Sequence, residues 1–186
     1  MTTEDVLVQG PATLYIGAFG AAEPADSAYN STPAVSAWTN LGLTMGGCEL
    51  TIEQEYKELE ADQAVDKMGA RLQSRSFKAK ISLAEPSLNN LLYALNDGVV
   101  ASGSGYHTYT PAFVSSATQP NYRALLVDGW APGGGRARLI VRKVLSTDNV
   151  KFKYSKEDQT VFEVEFEGFY VDDTTAPWKM ITQDAS

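Results

Sequence analysis

The clearest pattern along the chain is a change of hydrophobic period within residues 71–96. In the first half, apolar and polar side chains alternate, and one face is formed by Phe77, Ala79, Ile81 and Leu83. This period of two is typical of a β-strand with one buried face. After Pro86, leucines recur at the spacing of one side of an α-helix, namely Leu88, Leu91, Leu92 and Leu95. The pattern predicts a strand followed by a helix of about three turns, whose leucines pack against the sheet.

Shorter runs of alternating or β-prone residues predict further strands. They cover residues 12–16, 38–44, 49–56, 106–110, 122–130, 136–145, 150–154 and 160–171. Short strands dominate, one helix interrupts them, and no internal repeat is visible. This favours a mainly β fold class with one α-helix: a β-sandwich or partly closed barrel of two sheets with a flanking helix. A length of 186 residues suits a single domain spanning residues 1–186.

Four segments lack a regular period and are expected to be loops or tails. Residues 18–37 are rich in Ala, Ser, Pro and Gly, residues 57–75 are charged and irregular, and residues 98–105 combine Gly with Ser. Residues 174–186 are expected to form a flexible C-terminal tail. Long loops in compact domains are usually functional or mobile.

The chain is acidic, with a formal net charge of −8 at pH 7 and an isoelectric point near 4.6. Such a surface repels a polyanion, which argues against tight nucleic-acid binding but favours weak passage of DNA without sticking. A single cysteine, Cys48, excludes an intramolecular disulfide. No apolar run approaches membrane-spanning length and the first residues lack a signal-peptide pattern. We therefore expect no membrane association and a cytosolic protein, whose final location can still be an assembly released from the cell.

A search for catalytic or metal-binding patterns finds none. The single histidine, His107, can form a dyad with Cys48 only in principle, and a small buried thiol explains Cys48 better. Zinc needs more Cys and His ligands than the chain has. Asp172 and Asp173 follow a strand and fit a solvated strand end better than a cation site. Residues 133–135 are three glycines without the Lys-Ser/Thr and helix of a phosphate loop. We expect no enzyme activity, cofactor or metal.

Two charged strand faces allow two interpretations. One face of the last strand carries Glu163, Glu165 and Glu167, and a face of the strand two earlier carries Arg136, Arg138 and Arg142. Both can be solvated outer faces with cross-strand ion pairs, each contributing less than about 1 kcal/mol. Alternatively, one of them lines a channel or a seam between subunits.

Several short motifs occur in a fixed order. The run WTNLGLT at 38–44 is followed by a glycine pair and by LTIEQEYKELEADQ at 50–63, and a Leu-Ala-Glu segment at 83–85 opens the leucine-bearing helix. This order, strongest over residues 42–95, resembles the major tail (tail tube) proteins of long-tailed, non-contractile bacteriophages. The terminal β run with Phe-Glu-Gly-Phe at 166–169 fits the same family loosely.

The resemblance implies a β-sandwich with a flanking helix, a fold shared with secretion-system tube proteins. Six copies form a ring by joining their inner sheets edge to edge, and the rings stack into a hollow tube. The tube surrounds the tape-measure protein during assembly and later conducts DNA. Further implied partners are the tail terminator and tail-tip proteins, and the implied location is the virion tail, assembled in the bacterial host cytoplasm. An acidic channel wall and open sheet edges both agree with this role.

The family also suggests roles for particular residues. Its loop after the LTIEQEY-like strand reaches the adjacent ring, although a merely solvated loop is the alternative. By position, the inter-ring residues are Lys57, Glu58, Glu60, Asp62, Asp66, Lys67, Arg71 and Arg75. The channel-facing candidates are either Glu53 and Glu55 or Glu163, Glu165 and Glu167, and the sequence does not choose between the two sets. Residues 18–37, 98–105 and 174–186 are expected to become ordered only on assembly.

Two other functions compete with this one. A β-sandwich module that binds carbohydrate or protein gains support if Trp130, Trp178 and Tyr29 are exposed. A carboxylate-dependent hydrolase requires a carboxylate pair that no spacing in the sequence marks.

Overall fold

The computed structural model describes residues 10–59, 66–112, 118–150 and 161–183. These residues form ten strands, one α-helix and two short 3-10 turns at Asp26–Ala28 and Pro132–Gly134. The predicted mainly β class with one helix is confirmed. The strands and the helix are β1 Thr13–Ala18, β2 Trp38–Asn40, β3 Thr44–Leu59, β4 Gly69–Leu83, α1 Leu88–Ala94, β5 Val99–Gly103, β6 Tyr106–Thr110, β7 Arg123–Trp130, β8 Arg136–Ser146, β9 Phe162–Gly168 and β10 Trp178–Thr182.

The described strands form two sheets of very different size. An eight-stranded antiparallel sheet has the order β2-β1-β7-β8-β9-β4-β3, with β10 paired to β8, and the second sheet is the β5–β6 hairpin. The ends of the large sheet approach each other, because only residues 41–43 separate β2 from β3. The described strands nevertheless do not close into a barrel, since no strand pairing joins β2 to β3.

The hydrophobic core lies between the two halves of the curled sheet. Side chains from β1, β7 and β8 meet side chains from β4 and β9 in one cluster, which α1 joins through Ala94. The alternation that predicted β4 is confirmed, because Phe77, Ala79, Ile81 and Leu83 are all buried. One face of each strand therefore supplies the core, as the period of two requires.

The predicted loop at 57–75 is wrong over most of its length. Residues 57–59 belong to β3 and residues 69–75 belong to β4, and the two strands pair from Thr44↔Leu83 to Leu59↔Gly69. Between the Glu55↔Ser74 and Tyr56↔Leu72 pairs, β4 has one extra residue, Gln73; this bulge and charged side chains on both faces conceal the period of two. Because β9 pairs with β4 only over residues 78–83, β3 and β4 continue as a two-stranded ribbon. We call this ribbon, residues 52–59 and 69–77, the arm.

The helix packs differently from the prediction. It spans Leu88–Ala94, Ser87 caps it by accepting from Asn90 N, and its buried residues are Asn90 and Ala94. Among the described residues, only Leu91 of the four predicted leucines packs against the core, and Leu95 is 44% exposed. Small Ala94 and hydrogen-bonded Asn90 allow the helix to approach the sheet closely, so Leu88, Leu92 and Leu95 turn partly towards solvent.

Two further loop predictions are corrected and one is kept. The 98–105 segment is mostly the β5–β6 hairpin, and the expected flexible tail contains β10, which pairs with β8. Residues 19–37, which we call the strap, contain no strand and only one 3-10 turn. In the described parts of the chain, no helix has the length and apolar character needed to cross a membrane.

Candidate functional site

The sheet register brings both predicted acidic sets onto one face. Residues paired across antiparallel strands project to the same side of a sheet. Glu53 and Glu55 of β3 pair with Ser76 and Ser74 of β4. On the same side of β4, the next alternate residues pair with β9 as Ser82↔Glu163, Lys80↔Glu165 and Lys78↔Glu167. The two sets are therefore parts of a single surface, which sequence alternation alone did not reveal.

We call this surface the acidic face; its charged residues are Glu49, Glu53, Glu55, Lys78, Lys80, Glu163, Glu165 and Glu167, with Lys57 and Arg71 on the same side farther along the arm. Its charges are only partly compensated. Lys78 Nζ lies 3.9 Å from Glu165 Oε1, and both side chains are partly exposed. Ser76 Oγ donates to Glu53 at 3.3 Å and Ser74 Oγ donates to Glu55 at 3.1 Å, which holds these carboxylates in place without neutralising them. Because glutamates outnumber lysines, the face presents a net negative potential to anything that passes over it.

The opposite side of the arm is apolar and exposed. Leu50 at the base of the arm, Ile52, Tyr56 and Leu72 are 41%, 45%, 55% and 42% exposed. Ile52 pairs with Phe77 and Leu50 with Ala79, so this side continues the core-facing side of β4 beyond the body. A groove of about 520 Å³ lies where the arm leaves the body, between Leu72–Phe77 and residues 168–178. The alternation over 49–56 was visible in the sequence, but it could not show that nothing in the described chain covers this side.

The predicted inter-ring residues are exposed on and near the arm, except for two that lie outside the described residues, Glu60 and Asp62. Lys57 of β3 lies directly opposite Arg71 of β4, which places two like charges side by side. Near the turn, which also carries Asp66, the Lys67 ammonium contacts the Glu58 carboxylate at 2.5 Å. Arg75 pairs with Gln54 and so lies on the apolar side of the arm.

The arginine face is not the solvated face that the sequence suggested. Arg138 is 0% exposed; its Nε and Nη2 donate to the Asp128 carboxylate at 2.6 and 2.8 Å. The same guanidinium donates to the carbonyls of Ala28 and Ser31, at 2.9 and 2.6 Å. Arg138 therefore fastens the strap onto the outer side of β7 and β8. Within a single chain, the strap is thus already bound to the sheet.

Other contacts at the strap and at β8 involve the remaining arginines. Arg142 donates to the Glu23 carboxylate at 2.5 and 3.0 Å and to the Ala176 carbonyl at 2.6 Å, and the hydrogen bond to Glu23 raises the pKa of Arg142. Arg136 stacks on the Trp130 ring, 4.0 Å from its centroid. All three arginines therefore make contacts within the chain.

The residues considered for catalysis or metal binding lie apart. Burial raises the pKa of Cys48 to about 11, which keeps the thiol protonated at neutral pH, and His107 lies in the separate β5–β6 sheet. Hydrogen bonds from Thr174 and Thr175 lower the pKa of Asp172 to about 2, so this carboxylate caps a turn. Among the described residues, no group of three or more His, Cys, Asp or Glu side chains is arranged to hold a metal ion.

The aromatic residues that favoured a binding module are not exposed anchors. Trp130 lies against Arg136, Trp178 packs against the core, and Tyr29 is half-buried within the strap. The structure thus removes the observation on which that alternative depended.

Comparisons with known proteins find one sequence family and similarity to a solved structure. Among solved structures, the chain is similar to a chain of the cryo-EM structure of the anti-feeding prophage (AFP) baseplate, 6-fold symmetrised, with a TM-score of 0.44, 10% identity and coverage of 97% of each chain. No curated protein matches the sequence. The sequence model of one family, described as phage tail tube protein, matches residues 1–186. Because this match covers the whole chain, the protein belongs to the phage tail tube protein family.

Proposed function

We propose that this protein is the building unit of a phage tail tube in which homohexameric rings stack around a central channel. The tube surrounds the tape-measure protein during assembly and conducts DNA during ejection, and the tail terminator and tail-tip proteins bind its two ends. The tube lies in the virion and is assembled in the bacterial host cytoplasm. The family supports a structural role in a phage tail. The observation that carries the finer proposal is the single acidic face formed by β3, β4 and β9.

The acidic face is the proposed channel wall. Glu53, Glu55, Glu163, Glu165 and Glu167 repeat around the channel once for every subunit in a ring. DNA carries one negative charge per phosphate, so a wall of carboxylates disfavours adhesion and lets the polymer slide. The positive charges of Lys78 and Lys80 reduce the negative potential locally, but the more numerous glutamates keep the face negative.

Open strand edges supply the proposed contacts within a ring. The described strand order ends with β3 on one side and β2 on the other, so both strands have an edge without a partner. The β3 edge is long, because the strand spans Thr44–Leu59. An exposed edge of this length tends to pair with another chain. Pairing it with a different edge of the next copy produces a head-to-tail contact, which closes into a ring when the rotation between copies allows it.

The charged residues of the arm and its turn are the proposed contacts to the adjacent ring. Lys57 and Arg71 lie opposite each other and form no ion pair with a described residue of the same chain. A carboxylate from a neighbouring ring relieves their mutual repulsion. The full proposed set is Lys57, Glu58, Glu60, Asp62, Asp66, Lys67, Arg71 and Arg75.

Electron microscopy combined with mass measurement of the purified protein tests this proposal. We expect sixfold rings and hollow tubes on concentration, with the β3–β4–β9 glutamates at the bore. The Glu163→Gln, Glu165→Gln, Glu167→Gln variant should still form tubes, but these should retain added DNA that wild-type tubes exclude. A protein that stays monomeric under all assembly conditions, or a bore lined by another surface, contradicts the proposal.

A further inference from the structure

The apolar side of the arm requires a partner that the described chain does not provide. A two-stranded ribbon is marginally stable in water by itself, and a third strand or a packed layer is normally needed. Ile52, Tyr56 and Leu72 remain 42–55% exposed on one side of this ribbon. Their side adjoins buried Phe77, so a partner that covers them extends the existing core. A contiguous apolar patch of this kind marks an interaction surface.

A chemically matching surface lies at the other end of the same strand. Leu43 and Met45 are 70% and 47% exposed at the start of β3. The Glu85 carboxylate lies beside them and accepts from Leu43 N at 3.2 Å. On the apolar side of the arm, Arg75 pairs with Gln54 between the Ile52↔Phe77 and Tyr56↔Leu72 pairs, and it forms no ion pair with a described residue. Apolar side chains with one cation therefore match apolar side chains with one carboxylate.

One chain cannot join these two surfaces to each other. From Cys48 to Tyr56, β3 is extended, which separates these two residues by roughly 26 Å at the rise of an extended strand. Met45 lies before Cys48, in the register shift that contains Gly46 and Gly47. Contact therefore requires two chains, and the copies are related head to tail, because the surfaces differ. Because the chain carries a net charge of −8, a second copy attracts the positive charge of Arg75.

We propose that the apolar side of the arm docks onto the Leu43–Met45 surface of a second copy of this chain, with Arg75 facing Glu85 of that copy. The choice of a second copy as partner rests on the proposed function. The contact is mainly hydrophobic, which distinguishes it from the ion pairs proposed for the charged residues of the arm and its turn. Exposed ion pairs contribute little compared with the burial of several large apolar side chains.

Cysteine cross-linking between two differently substituted proteins tests the contact directly. In a Cys48→Ala background, Ile52→Cys protein is mixed with Met45→Cys protein and oxidised. We expect a covalent dimer that contains one chain of each kind. The matched control is Glu53→Cys, one residue along β3 on the opposite face, which should give little cross-linking with Met45→Cys. Equal yields from Ile52→Cys and Glu53→Cys contradict the proposed docking.

A second variant measures the contribution of the contact. Ile52→Ser should raise the protein concentration at half-assembly at least about tenfold, the usual size of a central interface truncation. The exposed position of Ile52 predicts an unchanged melting temperature of the monomer. Tubes that form without the Ile52–Met45 cross-link overturn this inference and leave the proposed function intact. Specific cross-linked dimers or open chains without sixfold rings support the docking and overturn the ring proposal, and the absence of any self-association overturns both.

Discussion

Arg138 of β8 lies directly opposite Asp128 of β7, and the two side chains form a two-point ion pair that is almost completely removed from solvent. The Arg138 side chain is 1% exposed and the Asp128 side chain is 20% exposed. The remaining bonds of the guanidinium go to strap carbonyls at Ala28 and Ser31. This pair therefore connects a segment without regular structure to the sheet.

Removing Asp128 should destabilise the protein strongly. Asp128→Ala leaves the Arg138 guanidinium buried without its counter-charge, which typically costs about 3–5 kcal/mol. The free energy of unfolding from denaturant titration measures the loss. Asp26→Ala is the matched control, because Asp26 is exposed and its partner Lys179 is partly exposed, and such pairs contribute under about 1 kcal/mol. Equal losses in the two variants would show that the strap is not held by Arg138.

Asn90 should contribute more to stability than its neighbour Asn89. The buried Asn90 amide donates to Leu41 O at 3.0 Å and to Glu85 O at 2.9 Å, and so joins α1 to the β2–β3 connection. Asn90→Ala leaves the Leu41 carbonyl without a donor, whereas Glu85 O still accepts from Ser87 N, and we expect a loss of about 1–3 kcal/mol. Asn89→Ala, at an exposed position of the same helix, should change stability by less than about 0.5 kcal/mol. Chemical denaturation gives the free energy of unfolding of both variants. An unchanged value for Asn90→Ala would contradict the proposed contribution of the Asn90 hydrogen bonds to stability.

The leucines of the helix should differ in their contributions. Leu91→Ala should lower the free energy of unfolding by about 2 kcal/mol, because Leu91 is the leucine that packs against the core. Leu95→Ala should cost less than about 0.5 kcal/mol, since Leu95 is 44% exposed. Thermal or chemical unfolding compares them. Similar losses would favour the four-leucine packing that the sequence predicted.

Stability should fall in alkaline solution because of Cys48. Burial raises its pKa in the folded state from the ordinary 9.0 to about 11, so the unfolded chain releases the proton first. The contribution of Cys48 is therefore complete below about pH 9 and is lost as the pH rises to about 11. Cys48→Ala should show a smaller loss across this interval than wild type. Identical pH profiles of the unfolding free energy would contradict the burial of the thiol.

Local sequence patterns were enough to predict the strands and the helix, but they did not predict which outward-facing surfaces remain exposed. The alternation over residues 76–83 predicted β4 and its buried face correctly, because side-chain direction in a strand depends only on neighbouring residues. The same rule placed Arg138 on an outer face, which is also correct. Arg138 is buried only because the strap covers that face, and the strap lies more than one hundred residues earlier in the chain. No local pattern contains that information.

The arm and the helix also have features that local sequence patterns did not predict. The extra residue Gln73 breaks the period of two in β4, so a paired hairpin looked like a charged loop. The leucine spacing of α1 identified a helix, but the buried amide of Asn90 and the small side chain of Ala94 set its rotation against the sheet.

By itself, the sequence determined a mainly β chain with one helix, an acidic charge and two separate runs of alternating glutamates, since each of these is a property of composition or of adjacent residues. The tertiary structure alone decided that the two glutamate runs share one face, because β9 pairs with β4 across a long separation in sequence. It also decided that the apolar side of the arm stays exposed, because burial depends on which distant segments reach a surface, and in the described chain none reaches this one.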